Sequence, residues 1–177
     1  MSHRHPINLG GFLLACCLAA APATQPATMV AVDGLVTHPL AWSADDLRSA
    51  LAGQVSSIEY ESHGHKHSAH AVPLIAVLEA AGAGATLKMD PKADPHTKNL
   101  PLRLAVVVRG RDGYTATFAL AELLPDIGDR PVWVALDADD KPLADRSAPV
   151  ELIAPADAKP GRWVRGIASI SVVDPAK

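Results

Sequence analysis

The chain has 177 residues and a formal net charge of −3, a length that suits one domain behind a short processed segment. Hydrophobic residues make up 49%, which supplies a core and excludes global disorder. The basic residues are scattered rather than gathered into the positive stripe a nucleic-acid surface needs, so that class of partner is excluded.

The first residues read as a targeting segment. Arg4, with His3 and His5, gives a mildly basic start, Phe12 to Ala20 is a short apolar run, and Ala21-Pro22-Ala23 has the small-x-small pattern of a secretory cleavage site. The run is shorter than the roughly 20 residues that span a bilayer, so no membrane span is expected. Residues 1–23 are read as a signal peptide, 24–28 as a polar, proline-containing linker and 29–174 as the mature domain, periplasmic or secreted. Leu13-Leu14-Ala15-Cys16 also has the form of a lipoprotein box, with Cys16 as the lipidated residue. Both cysteines, Cys16 and Cys17, lie in this segment. Cleavage after Ala23 leaves a mature protein with no disulfide and no thiolate to act as nucleophile or metal ligand.

Met29 to Val36 reads as a strand with a bend at Asp33-Gly34. Ser43 caps a helix in a capping-box arrangement with Asp46, and Gly53 ends it. Val55 to Glu61 is a strand, and Ser62 to His67 a polar turn. Pro73 opens a helix whose apolar face is Leu74, Val77, Leu78 and Ala81, with Gly82 at its end. Residues 83–101 read as an irregular surface excursion. Leu102 to Arg109 is apolar enough for a central strand, and Gly110-Arg111-Asp112-Gly113 is a hairpin turn into Tyr114 to Leu120. One helical turn at Ala121 to Leu124 precedes a strand at Val132 to Leu136 and a turn at Ala138 to Lys141. Val150 to Ala154 and Arg162 to Val173 complete the strands. Many strands with a few short helices make an α+β domain built on a mixed sheet.

Several stretches, in this order, carry a family resemblance. They are Val32-Asp33-Gly34-Leu35-Val36 with Ser43-Ala44-Asp45-Asp46-Leu47; Ala71-Val72-Pro73-Leu74 with Leu78-Glu79-Ala80-Ala81-Gly82; Arg111-Asp112-Gly113-Tyr114; and Lys141-Pro142-Leu143, Ala148-Pro149-Val150 and Arg162-Trp163-Val164-Arg165-Gly166-Ile167. Over about residues 30 to 173 the chain resembles the sulfite oxidase-like molybdopterin-binding domain, in particular its small exported members. The resemblance implies that fold and a pterin cleft. Enzymes of this family hold molybdenum through a pterin dithiolene and one protein cysteine, a soft ligand suited to the metal. That cysteine follows the strand which here reads Ile58-Glu59-Tyr60, and this chain has Glu61-Ser62-His63 there. The family's glycine-proline-leucine-arginine is Ala148-Pro149-Val150-Glu151, so an acid replaces the arginine that favours an anionic cofactor. By the resemblance, Ser62, Tyr114, Arg162, Trp163 and Arg165 are the candidate cofactor-binding residues. The packing alternative is a core Trp163 with Arg162 and Arg165 solvated on one strand face.

His63, His65, His67 and His70 crowd into eight residues. In an extended segment His63, His65 and His67 share a face and could ligate Cu(II), Zn(II) or Ni(II); as a hairpin turn they are simply solvated. Ser62, Ser68 and Asp112 lack any nucleophile motif, and Asp137, Asp139, Asp140 and Asp145 lack the regular spacing of a calcium loop. The expected protein is thus an exported, degenerate, non-redox binding or accessory module. No bound cofactor is expected, although the resemblance leaves molybdopterin open, and the expected ligand is small and anionic or pterin-like. The alternatives are a molybdopterin-dependent oxidoreductase and a histidine-rich metal-binding protein.

Overall fold

The computed structural model describes residues 29–95 and 97–177. The segments read as a signal peptide, a linker and a lipoprotein box, residues 1–28, fall outside the described residues. Among the described residues no helix is long and apolar enough to cross a membrane.

Two sheets form the domain. The first is mixed and five-stranded: β1 (Val30–Gly34), β2 (Leu40–Trp42), β5 (Ala105–Gly110), β6 (Thr115–Ala119) and β9 (Ile167–Val173), in the order β2-β1-β9-β5-β6. Only β1 and β9 run parallel. The second sheet is antiparallel and four-stranded: β3 (Ser56–Ser62), β4 (His65–Pro73), β7 (Trp133–Ala135) and β8 (Glu151–Ile153), in that order. The mixed sheet matches the sequence reading, and the separate antiparallel sheet is an addition to it.

Alternation along the strands explains the layers. Val30, Val32, Val106, Val108, Ile170 and Val172 from the first sheet meet Val72, Val134 and Leu152 from the second in one core, which also takes Leu74, Val77 and Leu78 of helix α2 (Leu74–Ala80). The other face of the second sheet buries Ala69, Ala71, Ala135 and Ile153 under Ile58, Tyr60, Trp133 and Trp163. Trp163 packs against both clusters, so a loop residue closes the end of the domain.

Local chemistry sets the first helix, α1 (Ala44–Ala50). Ser43 Oγ accepts from the Asp46 backbone N–H at 3.2 Å while Asp46 Oδ2 accepts from the Ser43 N–H at 2.9 Å, the reciprocal capping box expected. The Ser43 hydroxyl, donating to Asp46 Oδ2 at 2.7 Å, and then the Ser43 N–H hold the Asp46 carboxyl below its ordinary value. A 3₁₀ turn, Ala52–Gln54, follows, and Gly53 stands inside it rather than at the helix end.

Four further boundaries differ from the sequence reading. The polar stretch expected as a turn to His67 turns only at His63-Gly64, both with positive φ, and His65, Lys66 and His67 belong to β4, paired with Ser62, Glu61 and Tyr60. The excursion 83–101 contains one short helix, α3 (Gly84–Leu87), and the start of another, α4 (Leu100–Arg103). Leu102 therefore lies in a helical turn behind Pro101, and β5 starts at Ala105. The expected strand 162–173 exists only from Ile167; before it, Val164 makes a single bridge to Leu152, and Gly166 turns the chain with φ +55°. One more helical turn, α5 (Leu120–Leu123), follows β6 directly, with the Ala119 N–H donating to Glu122 Oε1 at 3.0 Å.

Candidate functional site

A cleft of about 310 Å³ opens where the β3–β4 turn, the β5–β6 turn, the start of β8 and the loop before β9 converge. Ser62, His63, Asp112, Tyr114, Glu151, Pro160, Trp163 and Arg165 line it. Ser62, Tyr114, Trp163 and Arg165, expected from the resemblance, are thus brought together, and His63 joins them from the histidine tract.

Each lining group is already positioned by the fold. Ser62 Oγ lies 2.9 Å from His63 Nδ1, so the serine hydroxyl is tied to the neighbouring imidazole. Asp112 Oδ1 accepts from the Tyr114 N–H at 2.9 Å, and Gly113 takes the positive φ of the hairpin turn. The Tyr114 hydroxyl donates to the Gly161 carbonyl at 2.5 Å and the Trp163 indole N–H to the Ala154 carbonyl at 3.0 Å. Trp163 stands edge-on to Tyr60 with ring centroids 5.4 Å apart. Arg165 Nε approaches Glu151 Oε1 at 3.6 Å, a charge contact beyond hydrogen-bond range. Burial, and then the charges of Glu151, Asp139 and Asp137, push the Tyr60 phenol above its ordinary value.

Arg162 is a correction. It is on no strand and does not line the cleft. Its guanidinium donates to Asp157 at 2.8 and 2.7 Å and to Glu122 at 2.9 Å, and lies 4.3 Å from the centre of the Phe118 ring. The Asp157 hydrogen bonds come first among the influences that raise its already high proton affinity. The residue is a strut between the loop, α5 and β6. Asp157, five positions away in the chain, was the local signal for this pairing; Glu122, forty positions away, left none.

The histidines do not assemble into a ligand set. Among the described residues there is no group of three or more His, Cys, Asp or Glu side chains that could hold a metal ion. His63 sits at the turn with φ +53°, out of the strand that carries His65 and His67. His67 stacks on Tyr60 with centroids 5.5 Å apart, and its Nδ1 lies 2.9 Å from Asp139 Oδ2. Asp139 also accepts from the Ser68 N–H at 2.9 Å, and these bonds lower its carboxyl. His70 Nδ1 lies 3.0 Å from Asp137 Oδ2, which also accepts from Arg48 at 2.9 Å. The acids of the 137–140 turn therefore clip that turn to β4 through histidines. Replacing His67 with Ala is expected to cost about 1 kcal/mol through the lost ring contact. Replacing His63 and His65 with Asn should stay within about 0.5 kcal/mol, as for surface changes. Urea unfolding of the variants checks the order, and equal costs would refute the clip.

The cleft lacks a thiolate, and Arg165 lies 3.6 Å from Glu151 in a lining that also holds Asp112, so its donors do not suit a molybdenum–pterin group with a phosphate.

No family model and no curated protein matches the chain. Among solved structures it is similar in fold to the sulfane dehydrogenase SoxCD from Paracoccus pantotrophus, with a TM-score of 0.53 and 17% identity. The alignment covers 82% of this chain and 38% of that chain, so the chain spans well under half the length of its structural neighbour.

Proposed function

We propose that this protein is an exported, non-redox binding or accessory module on the sulfite oxidase-like fold, with its ligand held in the cleft between Ser62 and Arg165. The observation that carries this reading is the pairing of Glu151 with Arg165 beside a serine, in a cleft also lined by Asp112. The fold likeness to a sulfane dehydrogenase supports the family resemblance read from the sequence. The chemistry of the lining separates this module from an oxidoreductase. Ser62 cannot replace a soft thiolate in kind, the acids oppose a phosphate, and Arg162 is committed to Asp157 and Glu122. A concave cleft in which aromatic rings meet a few convergent polar groups is a form that small-ligand sites take.

Elemental analysis and intact mass of protein recovered from the periplasm of a host that makes the cofactor test both halves of the proposal. The expected result is molybdenum and phosphorus far below one atom per chain, and a mature start near Thr24. A content near one molybdenum per chain makes the oxidoreductase reading the better one. A cytoplasmic chain that keeps Met1 removes export, and a lipid mass on Cys16 converts export to membrane anchoring.

A further inference from the structure

We propose that the cleft takes a small organic cation with a planar nitrogen head, an amidinium or guanidinium, rather than an anion; this rests on reading the cleft as the module's binding site. Glu151 is the centre of the argument. Its side chain is only 16% exposed, meets Arg165 at 3.6 Å and accepts no hydrogen bond from a described residue, and its oxygens keep access to the water of the cleft. A carboxylate has about four lone-pair sites, and a donor pair that replaces that water is held by charge-assisted hydrogen bonds. Two parallel N–H groups on a planar head satisfy both oxygens at once.

The aromatic walls agree with that choice. The polar ends of Tyr114 and Trp163 are spent on the Gly161 and Ala154 carbonyls, so what they offer a ligand is ring surface. A ring face attracts a cation, most strongly where water is excluded. Charge agrees as well. Asp112 and Glu151 outnumber Arg165 in the lining, and Arg165, 44% exposed, can release its weak contact with Glu151 toward solvent at small cost. An arriving amidinium replaces a 3.6 Å charge contact with hydrogen bonds of ordinary length. The volume, about 310 Å³, lies at the small end for ligand sites and suits a single ring carrying such a head.

The test is equilibrium binding of benzamidinium, uncharged benzamide and inorganic phosphate to the exported protein, by calorimetry at moderate salt. Benzamidinium should bind saturably, with benzamide at least about tenfold weaker, the loss of one charge-assisted contact. Glu151→Gln should weaken benzamidinium at least about tenfold. Arg165→Gln, at an exposed position, should strengthen it severalfold by removing the competing cation. Phosphate binding in preference to benzamidinium overturns the proposal, and so does a benzamidinium affinity that falls in Arg165→Gln. The Arg165 variant keeps the test decisive if Glu151→Gln does not fold. Molybdenum-free protein that prefers phosphate defeats this inference alone, whereas molybdenum-loaded protein defeats the module reading beneath it.

Discussion

Arg162→Ala is expected to destabilise the protein by about 2 to 3 kcal/mol, one of the largest effects of any single side chain outside the core. Arg162 is 29% exposed and Asp157 11%, so the pair is partly shielded from water. The substitution removes three hydrogen bonds to two acids and the contact with the Phe118 ring. It leaves Asp157 and Glu122 with Arg130, at 3.0 and 3.7 Å, as their remaining cation. That residual partner is why the loss falls below the roughly 3 to 5 kcal/mol of a fully buried pair broken on one side. Arg162→Lys should recover little, because an ammonium cannot span both oxygens of Asp157 and reach Glu122.

The same strut has an acid signature. The hydrogen bonds from Arg162, foremost, hold the Asp157 carboxyl below its ordinary value in the folded protein. The unfolded chain therefore takes up this proton first as pH falls. The stabilisation from Asp157 is complete above the ordinary carboxylate range and starts to be lost below about pH 4, as pH falls toward the folded value. The gap in urea midpoint between wild type and Arg162→Ala should therefore be narrower at pH 3 than at pH 7. A gap below about 1 kcal/mol at pH 7, or one that widens in acid, would show that the guanidinium is merely solvated.

What the sequence disclosed follows the range of the interactions. The capping box of Ser43 and Asp46, the hairpin turn at Asp112-Gly113 and the Pro73 boundary depend on residues a few positions apart, and each was legible. β2 was not, because three residues carry no period. The start of β4 was hidden by composition: His65 and Lys66 are exposed and pair only with β3, so the fold accepts polar residues there. The apolar run at Leu102 reads as strand, yet Pro101 and the turn of α4 claim it. In the cleft, the family resemblance supplied Ser62, Tyr114, Trp163 and Arg165. Pro160 gave no signal, and Asp112 read as turn chemistry only. Arg162 went astray because Glu122 arrives from another element, and the strand reading of 162–173 hid the loop in which it pairs with Asp157.

The expected strand from Arg162 onward fails at Gly166, and Gly166→Ala should expose the reason. Gly166 has φ +55°, a conformation that costs a residue with a Cβ roughly 1 to 2 kcal/mol. A Cβ there would also lie 2.9 Å from the Arg146 carbonyl oxygen, 3.0 Å from that of Ala148 and 3.1 Å from Arg111 Nε. The two oxygens are backbone atoms and cannot swing aside. The Gly166 N–H donates to the Ser147 carbonyl at 3.1 Å, and its own carbonyl accepts from the Arg111 N–H at 2.9 Å. This one residue therefore joins the loop carrying Trp163 and Arg165 to the β5–β6 turn carrying Asp112 and Tyr114, the two halves of the cleft. Strain and close contact together should cost about 3 kcal/mol or more. Gly53→Ala, where a Cβ meets nothing within 4 Å and φ is not positive, serves as the control and should be neutral or slightly stabilising. Gly166→Ala should also weaken benzamidinium binding in the molecules that remain folded, because any backbone shift at 166 moves Arg165 relative to Glu151. Equal urea midpoints for the two alanine variants would mean that Gly166 sits at the junction by accident, and that the cleft does not depend on its turn.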